Sequence, residues 1–370
     1  MLAIQEYIKK HGIDKTISDF SLICKEYNHK ILLKYNQLVS PTLMALPEMQ
    51  DCRGLILEKG TWNVLSLGFR KFFNFGESNA SNIDLNTAKC FIKEDGTFIQ
   101  CYFDYIIGEW CYGTTGTANG EGNVNISMVT FSELFLSVVG YDFKDKLNFD
   151  LIYMFELCTP QNIVVTPHIE SKVVLLGARY QSDLKELNFN QLELVSSVIG
   201  VPLVECVNIS LNSLDEIKLR FENMPFYSEG YVILDDKFNR VKMKNPAYVA
   251  AHFLKSKSGS HHIMEIIKQN EIEEFTSTFP NKKEEVNTLV NKYNFLITNL
   301  EQHCEYFLNF IKVNKEYTQK QYAEHVFFYS KIHNLNDFTN LFFGLKNGKI
   351  IDSLDYLNTL DNKRLFNLLN

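Results

Sequence analysis

The spacing of apolar residues changes near Pro246, and this change constrains the fold more than any other feature of the chain. Before Pro246, apolar residues form short runs that are rich in β-branched and aromatic side chains and are bounded by Gly, Asn or Asp, a pattern typical of β-strands. After it, apolar residues recur at helical spacing from Val286 to Ile311. The sequence therefore predicts two domains, a mixed one over residues 1–245 and a helical one over residues 246–370.

The runs before Pro246 alternate between strand-like and helix-like segments. The expected strands are Gly54–Glu58, Val64–Phe69, Cys90–Lys93, Phe98–Phe103, Ile106–Tyr112, Leu151–Leu157, Lys172–Tyr180, Tyr231–Leu234 and Arg240–Lys244. The expected helices are Phe131–Val139, Asp183–Val198 and Leu214–Glu222, followed in the second domain by Gln321–Ile332 and Phe338–Leu345. This combination predicts an α+β fold with largely antiparallel sheets, followed by an all-helical domain.

Composition narrows the class of protein. The net charge of −7 means that any nucleic-acid contact must be confined to a local basic patch. Eight cysteines include no C-x-x-C pair, which indicates reduced thiols in a cytoplasmic protein and argues against a structural zinc site. No apolar run has the length of a membrane span, and residues 1–16 are too polar for a secretory signal, so we expect no membrane association.

The sharpest chemical signal is Lys93-Glu94-Asp95-Gly96, which lies between two expected strands. A lysine can act as a nucleophile once its amine is deprotonated, and a nearby glycine lets backbone approach a ligand closely. Taken alone, the same four residues suit an ordinary surface turn. Lys242 and Lys244, which share one face of an expected strand, taken alone suit an edge strand guarded by charge.

These residues belong to an ordered set that resembles the RNA ligase 1 family of T4-like bacteriophages, within the covalent nucleotidyltransferase superfamily. The resemblance runs from about Tyr35 to Tyr248. It is carried by Lys34-Tyr35-Asn36, Asp51-Cys52-Arg53-Gly54, Arg70-Lys71-Phe72-Phe73-Asn74, Lys93-Glu94-Asp95-Gly96, Phe155-Glu156, Val174-Leu175-Leu176, Glu229-Gly230-Tyr231-Val232 and Lys242-Met243-Lys244. It implies a nucleotidyltransferase domain of the ATP-grasp-like ligase type, with a helical domain that governs the choice of RNA.

The resemblance also implies a role for each residue. Lys93 would attack the α-phosphate of ATP to form lysyl-AMP, while Lys242 and Lys244 would neutralise that phosphate in the transition state. A divalent cation, Mg²⁺, would be held by Glu229 and Glu156. AMP would pass to an RNA 5′-phosphate, and a 3′-hydroxyl would displace it. The residues implied to contact the nucleotide are Tyr35, Arg53, Lys71, Glu94, Gly96, Glu156, Lys242 and Lys244, with Arg53 oriented by Glu94.

Two stretches depart from the family pattern. The family commonly has a lysine in a Ser-Lys-Gly-Ser-like stretch after the nucleophile, but this chain has Thr114-Thr115-Gly116-Thr117. A phosphate contact is therefore expected to be missing or to be replaced by hydroxyls. After Glu156 the family shows Pro-x-Asn-Arg, whereas Ile163 stands at the arginine position here.

Other functions remain open from the sequence. DNA ligases and capping enzymes of the superfamily generally continue into an all-β domain, whereas the segment after Lys244 is expected to be helical. A non-catalytic RNA-binding protein with a decayed ligase fold is the alternative from another class. The favoured interpretation is a monomeric RNA repair ligase in the cytoplasm of a host cell, with nicked tRNA as a candidate substrate. His261-His262 is expected to be a solvated pair rather than a metal site.

Overall fold

The computed structural model describes residues 1–36, 39–124, 128–209, 214–255, 263–268 and 271–369. The chain divides into two compact units, Met1–Ser256 and Lys257–Asn370. The first unit continues past residue 245 because Tyr248 and Val249 are buried and the Tyr248 hydroxyl hydrogen-bonds to Asp95. The His261-His262 pair lies outside the described residues.

The first sheet is an antiparallel meander whose strand order follows the chain. One face packs on the helices α1 to α4, and the other packs on the second sheet. The first two strands were not expected, because Leu22–Glu26 buries only Leu22, and Lys30–Tyr35 begins with a lysine that the fold buries. The strands are β1 Leu22–Glu26, β2 Lys30–Tyr35, β3 Arg53–Glu58 and β4 Val64–Ser66; the helices are α1 Ala3–His11, α2 Ile13–Asp19, α3 Pro41–Met44 and α4 Pro47–Asp51.

The second sheet is antiparallel with the strand order β10-β9-β7-β8. One face, which carries Ile99 and Phe155, is covered by α5 Phe131–Val139 and α6 Phe189–Ile199. The strand expected over Ile106–Tyr112 begins only at Glu109, because the Gly108 N–H donates to the Asp104 carbonyl oxygen and closes a turn. The strands are β7 Thr97–Asp104, β8 Glu109–Gly113, β9 Leu151–Cys158 and β10 Lys172–Tyr180.

The third sheet has the strand order β11-β6-β12-β13-β5, in which only the β13–β5 pair is parallel. Its two faces differ by the two-residue period of a strand. Ile233, Val241 and their neighbours pack on α7 Leu214–Arg220, whereas Phe91 and Val232 face a cavity. The strands are β5 Phe73–Asn74, β6 Lys89–Ile92, β11 Cys206–Val207, β12 Gly230–Leu234 and β13 Arg240–Lys244, after which α8 Pro246–Lys255 ends the first unit.

Helix α6 begins later than the sequence pattern indicated. We expected a helix over Asp183–Val198, but it starts at Phe189. The Asn188 side chain accepts a hydrogen bond from the Gln191 N–H, and the Gln191 side chain accepts one from the Asn188 N–H. This capping box fixes the start of the helix.

The second unit is helical throughout its described residues. Its core is organised by the 31-residue helix α11, which buries one face from Val286 to Phe307. The clustered aromatic residues Phe338, Phe342 and Phe343 suit a helical core in sequence, and the structure buries Phe338 and Phe342 and packs the partly buried Phe343 against them. The helices are α9 Ile263–Lys268, α10 Ile272–Thr278, α11 Lys283–Val313, α12 Gln319–Ile332, α13 Thr339–Lys346, α14 Ser353–Thr359 and α15 Asn362–Leu369. Among the described residues, no helix is both long enough and apolar enough to span a membrane.

Candidate active site

Strand pairing in the third sheet brings three motifs that are distant in sequence to the same end of neighbouring strands. Lys93 follows β6, and its N–H donates to the carbonyl oxygen of Gly230 over 2.9 Å. Gly230 opens β12 and pairs with Lys244 at the end of β13. Both β6 and β13 pair with β12. The residues that meet at this end of the three strands are therefore Lys93, Glu229 and Lys244.

Glu229 bridges two of the lysines. Its Oε2 lies 2.8 Å from Lys93 Nζ, and its Oε1 lies 3.5 Å from Lys244 Nζ. Gly230 holds this arrangement, since it has a φ of +134° and a Cβ there would lie 2.1 Å from the Met243 carbonyl oxygen. Lys242 lies on the same face of β13 as Lys244, because alternate residues of a strand point to the same side.

Glu94 has a different partner from the one expected. Its two carboxylate oxygens each lie 2.9 Å from Lys172 Nζ, at the start of β10. Arg53 instead stacks on the ring of Phe98, with Cζ 5.0 Å from the ring centroid. Arg53 Nη1 is buried and finds no hydrogen-bond partner among the described residues. The guanidinium therefore presents an unused donor beside the aromatic ring.

A cavity of about 550 Å³ lies between the second and third sheets. This volume is in the range of small-molecule sites. The expected site residues that line it are Arg53, Lys93, Glu94 and Glu156. Its apolar walls are formed by Phe69, Phe72, Phe91, Ile92, Phe98, Leu176, Leu187, Phe189, Leu192, Val204, Val232, Leu234 and Phe238.

Glu156 lies on β9 opposite Phe98 and faces the cavity. Burial raises the pKa of its carboxyl to about 8, the Lys93 ammonium opposes this shift, and Glu229 adds to it. The cavity therefore contains a carboxyl group whose negative charge is poorly compensated by the protein. No group of three or more His, Cys, Asp or Glu side chains suited to a metal ion occurs in the part of the chain that the structure describes.

Asp95 and Gly96 fix the backbone after Lys93. Asp95 Oδ2 accepts hydrogen bonds from the N–H groups of Val165 (2.9 Å) and Thr166 (2.6 Å). Burial raises the pKa of Asp95, but these hydrogen bonds outweigh it, so the pKa lies below its usual value. A Cβ at Gly96 would lie 2.5 Å from the Leu157 carbonyl oxygen, so only glycine fits against β9.

Tyr35 and Lys71 lie together, but neither lines the cavity. Tyr35 is buried in the core beneath the first sheet, and Lys71 Nζ lies 5.4 Å from the centroid of its ring. Glu229, Lys242 and Lys244 also lie outside the cavity lining, next to Lys93 at the sheet edge. The site thus combines a cavity lined by aromatic side chains with lysines at the adjoining strand ends.

Sequence reasoning missed two members of this site. Phe98 stacks on Arg53, and the alternation of β7 places it on the same face as Gln100 and Tyr102, so strand pattern alone could have suggested its side. Lys172 pairs with Glu94 across 78 residues of sequence, and no local pattern reports such a contact.

Comparisons with known proteins agree with the resemblance seen in the sequence. A family model described as RNA ligase, of the T4 type, matches residues 51–248, more than half of the chain. An RNA ligase of Rhodothermus phage RM378 is 26% identical over 68% of this chain and 70% of its own length. A protein of Autographa californica nuclear polyhedrosis virus, named as a bifunctional polynucleotide kinase/RNA ligase, is 24% identical over 80% of this chain. The chain covers only 44% of that viral protein. Among solved structures, an archaeal ATP-dependent RNA ligase aligns with a TM-score of 0.48 at 11% identity, over 79% of each chain.

Proposed function

Because the chain belongs to the RNA ligase family, we propose that it is an ATP-dependent RNA ligase whose first unit forms a lysyl-AMP on Lys93. We assign to this unit the nucleotidyltransferase fold of the ATP-grasp-like ligases. One observation carries the proposal: the Lys93 amine lines the cavity and contacts Glu229, 2.8 Å away, at an edge that also carries Lys244. A nucleophile, a proton acceptor and positive charge therefore adjoin a space that fits a nucleotide.

In the first step, Lys93 Nζ attacks the α-phosphorus of ATP. The new N–P bond forms as the bond from that phosphorus to the bridging oxygen breaks, and pyrophosphate leaves with the electron pair. The lysine ammonium becomes a phosphoramidate N–H, so two protons leave: Glu229 Oε2, 2.8 Å from Nζ, is placed to accept the first, and the second passes to water after the N–P bond forms. Lys242 and Lys244, on one face of β13, supply positive charge where the α-phosphate becomes more negative.

The cavity supports a nucleotide in orientation as well as size. Phe98 and Val232 offer apolar surface to a base, and Arg53 offers its unpaired Nη1 donor to a phosphate or sugar oxygen. Glu94, held by Lys172, lies at the wall next to the nucleophile. Tyr35 and Lys71 would extend the site beyond the cavity, where Lys71 meets the outer phosphates.

A divalent cation fits the carboxylates that are present. Mg²⁺ in phosphoryl-transfer sites takes one or two carboxylates and completes its shell with phosphate oxygens and water, so a protein cage of three ligands is not needed. Glu156, which would ionise when the cation offsets the burial that raises its pKa, and Glu229 would hold it. When bound, Mg²⁺ would neutralise part of the triphosphate charge.

The later steps use RNA ends. AMP passes from Lys93 to the terminal oxygen of an RNA 5′-phosphate, and an RNA 3′-hydroxyl then attacks that phosphorus and displaces AMP. We propose that the helical unit selects the RNA, and that a tRNA broken in its anticodon loop is a substrate met in the cytoplasm of a host cell. A monomer suffices, since every residue assigned to the chemistry comes from one chain.

Two other functions are alternatives to the RNA ligase, and the experiment below tests them. A DNA ligase would usually carry a β-domain after the last lysine strand, whereas the described residues after β13 form helices. A binding protein with a decayed fold would not need an intact set of Lys93, Glu229 and Lys244 in mutual contact. The binding protein predicts no adduct with labelled ATP, whereas a DNA ligase predicts the same adduct and differs only in the nick that it seals.

The deciding experiment is covalent labelling with ATP. The purified protein is first stripped of any bound AMP with pyrophosphate and is then incubated with Mg²⁺ and ATP labelled with ³²P at the α position. We expect label on the denatured wild-type chain and none on Lys93→Ala, since only the Lys93 amine is assigned as the nucleophile. ATP labelled at the γ position should leave no label, because pyrophosphate departs.

Lys218→Ala is the control, since Lys218 is an exposed lysine of α7 that pairs with Asp215 and does not line the cavity. It should label like wild type. Label retained on Lys93→Ala would place the nucleophile elsewhere, and absence of label on folded wild type would favour the binding protein. Sealing of labelled RNA and DNA nicks by the adenylylated enzyme then separates an RNA ligase from a DNA ligase.

A further inference from the structure

The turn that precedes Glu229 exposes two aromatic rings. Phe226 is 57% exposed and Tyr227 is 42% exposed, and the two rings meet edge to face with their centroids 5.6 Å apart. They are the central residues of a turn that is closed by the Ser228 N–H, which donates to the Pro225 carbonyl oxygen over 3.0 Å. The fold gains little from rings that stay in water, so the pair is available to a ligand.

Hydrogen bonds hold this turn against the last lysine strand. Asn245 follows Lys244 and is 1% exposed, and its Nδ2 donates to the carbonyl oxygens of Pro225 (2.9 Å) and Ser228 (3.1 Å). The Asn245 N–H also donates to the carbonyl oxygen of Glu229 over 2.8 Å. One buried residue therefore fixes both ends of the turn relative to the strand that carries Lys244.

A second set of hydrogen bonds ties the turn to the motif of the nucleophile. Thr166 Oγ1 donates to the Tyr227 carbonyl oxygen over 2.6 Å. The Thr166 N–H donates to Oδ2 of Asp95, which stands two residues after Lys93. The turn is thus held from both sides, and hydrogen bonds set the position of its two rings relative to Lys93.

The rings lie close to positive charge. Tyr227 stands two residues before Glu229, a span of at most about 7 Å along the backbone. Glu229 Oε2 lies 2.8 Å from Lys93 Nζ, and its Oε1 lies 3.5 Å from Lys244 Nζ. Ammonium groups that attract a phosphate are therefore next to an aromatic surface on which a base can stack. A nucleotide carries both complementary groups, since its base and its 5′-phosphate are joined through one sugar.

We propose that Phe226 and Tyr227 stack the terminal base of the RNA strand whose 5′-phosphate receives AMP. This inference rests on the proposed function, because it concerns the substrate that takes AMP from Lys93. Stacking holds the end of the strand while its phosphate meets the adenylylated lysine. The contact tolerates any of the four bases, since each has a π-face. The two aromatic residues bind RNA and take no part in the reaction with ATP.

The test removes the base as well as the rings. The substrate is a 5′-phosphorylated RNA oligonucleotide, either complete or with a terminal nucleotide that lacks its base. Transfer of AMP from the adenylylated enzyme is followed in a single turnover, with RNA below saturation. Wild type should transfer AMP to the baseless end about 10-fold more slowly than to the complete end. The double variant Phe226→Ala with Tyr227→Ala should be about 10-fold slower than wild type on complete RNA, and it should treat both RNAs alike.

Two further proteins are controls. Phe226→Tyr with Tyr227→Phe keeps both rings, so it should transfer AMP like wild type and should still distinguish the two RNAs. Tyr141→Ala removes another exposed aromatic ring of the first unit, 70% exposed, and should behave like wild type with both RNAs. Labelling of every variant with α-³²P ATP should stay within about twofold of wild type, because that step uses no RNA.

The outcomes separate the inference from the proposed function. Wild type that treats both RNAs alike, or a double variant that distinguishes them as wild type does, overturns the inference while wild-type labelling still supports the ligase. Equal loss of labelling and of transfer would show that the turn is structural, and would also overturn it.

If the double variant does not fold, the single variants Phe226→Leu and Tyr227→Leu decide, since leucine keeps apolar bulk without a ring. Each should distinguish the two RNAs less than wild type does, and undiminished discrimination in both overturns the inference. Folded wild type that forms no adduct removes the proposed function and the inference together.

Discussion

Two groups of charged side chains in the first unit differ in how many of their charges have a partner of opposite sign. Lys30 is 2% exposed, and its Nζ donates to Asp104 Oδ2 and to the Tyr102 hydroxyl, each over 2.9 Å. His29 Nε2 lies 2.8 Å from the same carboxylate oxygen. We call Lys30, Asp104, His29 and Tyr102 the inner group. Every charge in it has a partner.

Arg53 forms no ion pair in the described part of the chain, although the Glu156 carboxyl is close enough to interact with its charge. Glu229 bridges Lys93 and Lys244, and Lys93 also interacts with Glu156. We call Arg53, Lys93 and Lys244 the outer group. The comparison suggests that a buried charge with a partner holds the sheets together, whereas an excess of cations at a cavity prepares a place for an anion.

The strongest way to break this comparison is to open the inner group. Asp104→Ala leaves the Lys30 ammonium buried without its counter-charge, so we expect a loss of about 3–5 kcal/mol in the free energy of unfolding. Urea titration measures this loss. Lys15→Ala, which removes an exposed i,i+4 pair with Asp19, is the control and should unfold at the wild-type urea concentration. If Asp104→Ala unfolds like wild type, matched charges do not stabilise this interface.

The inner group also predicts a direction with pH. Burial raises the pKa of Asp104, but His29 and Lys30 outweigh it and hold the pKa below its usual value. A carboxyl whose folded pKa is depressed contributes stability above its unfolded pKa, and this contribution is lost as the pH falls through the folded pKa. The Asp104 contribution should therefore be complete at neutral pH and disappear only in strong acid.

Glu156 differs from Asp104, because its pKa is raised whereas that of Asp104 is lowered. Burial raises its pKa to about 8, so between an unfolded value of 4.5 and about 8 the folded state holds more protons than the unfolded state. The free energy of unfolding should therefore fall as the pH rises across this window. Glu156→Gln removes the titration, and at pH 8 it should be more stable than wild type by about 4 kcal/mol.

Thermal unfolding of both proteins from pH 5 to pH 9, without nucleotide or metal, measures this effect. Parallel melting curves for wild type and Glu156→Gln across the window would contradict it. Leu157→Val, on the same strand, is the control for a change in packing, and its pH dependence should match that of wild type.

The sequence predicted most of the first unit because its strands are short apolar runs bounded by Gly, Asn or Asp. Lys172–Tyr180 and Arg240–Lys244 have the expected bounds. Prediction failed where the fold buries a charged side chain or where side-chain bonding overrides local pattern. Lys30, at the start of the strand Lys30–Tyr35, is buried on Tyr102 and Asp104, and Asn188 starts a helix that the pattern placed earlier.

The candidate site could be read from sequence only as motifs. Order along the chain suggested that Lys93, Glu229 and Lys244 belong together, and strand register gives the distances between them. The pairings that depend on distant segments were not predictable. Glu94 pairs with Lys172 rather than Arg53, because the antiparallel pairing of β9 with β10 brings Lys172 opposite Cys158, whose Sγ lies 3.9 Å from a Glu94 oxygen.

The ion pair between Glu94 and Lys172 gives the smallest expected effect, and it tests whether a paired cation contributes to nucleotide binding. The Lys172 side chain is 47% exposed, so water screens its interaction with Glu94, and Lys172→Ala should change the free energy of unfolding by no more than about 1 kcal/mol. Because Glu94 already balances the charge of Lys172, this lysine offers little free charge to an anion, and labelling with ATP should slow by less than about tenfold. Single-turnover labelling of Lys172→Ala beside Lys244→Ala measures the difference. Equal slowing of the two variants would place Lys172 in the outer group, and would show that an ion pair seen in the protein alone can open to hold a phosphate.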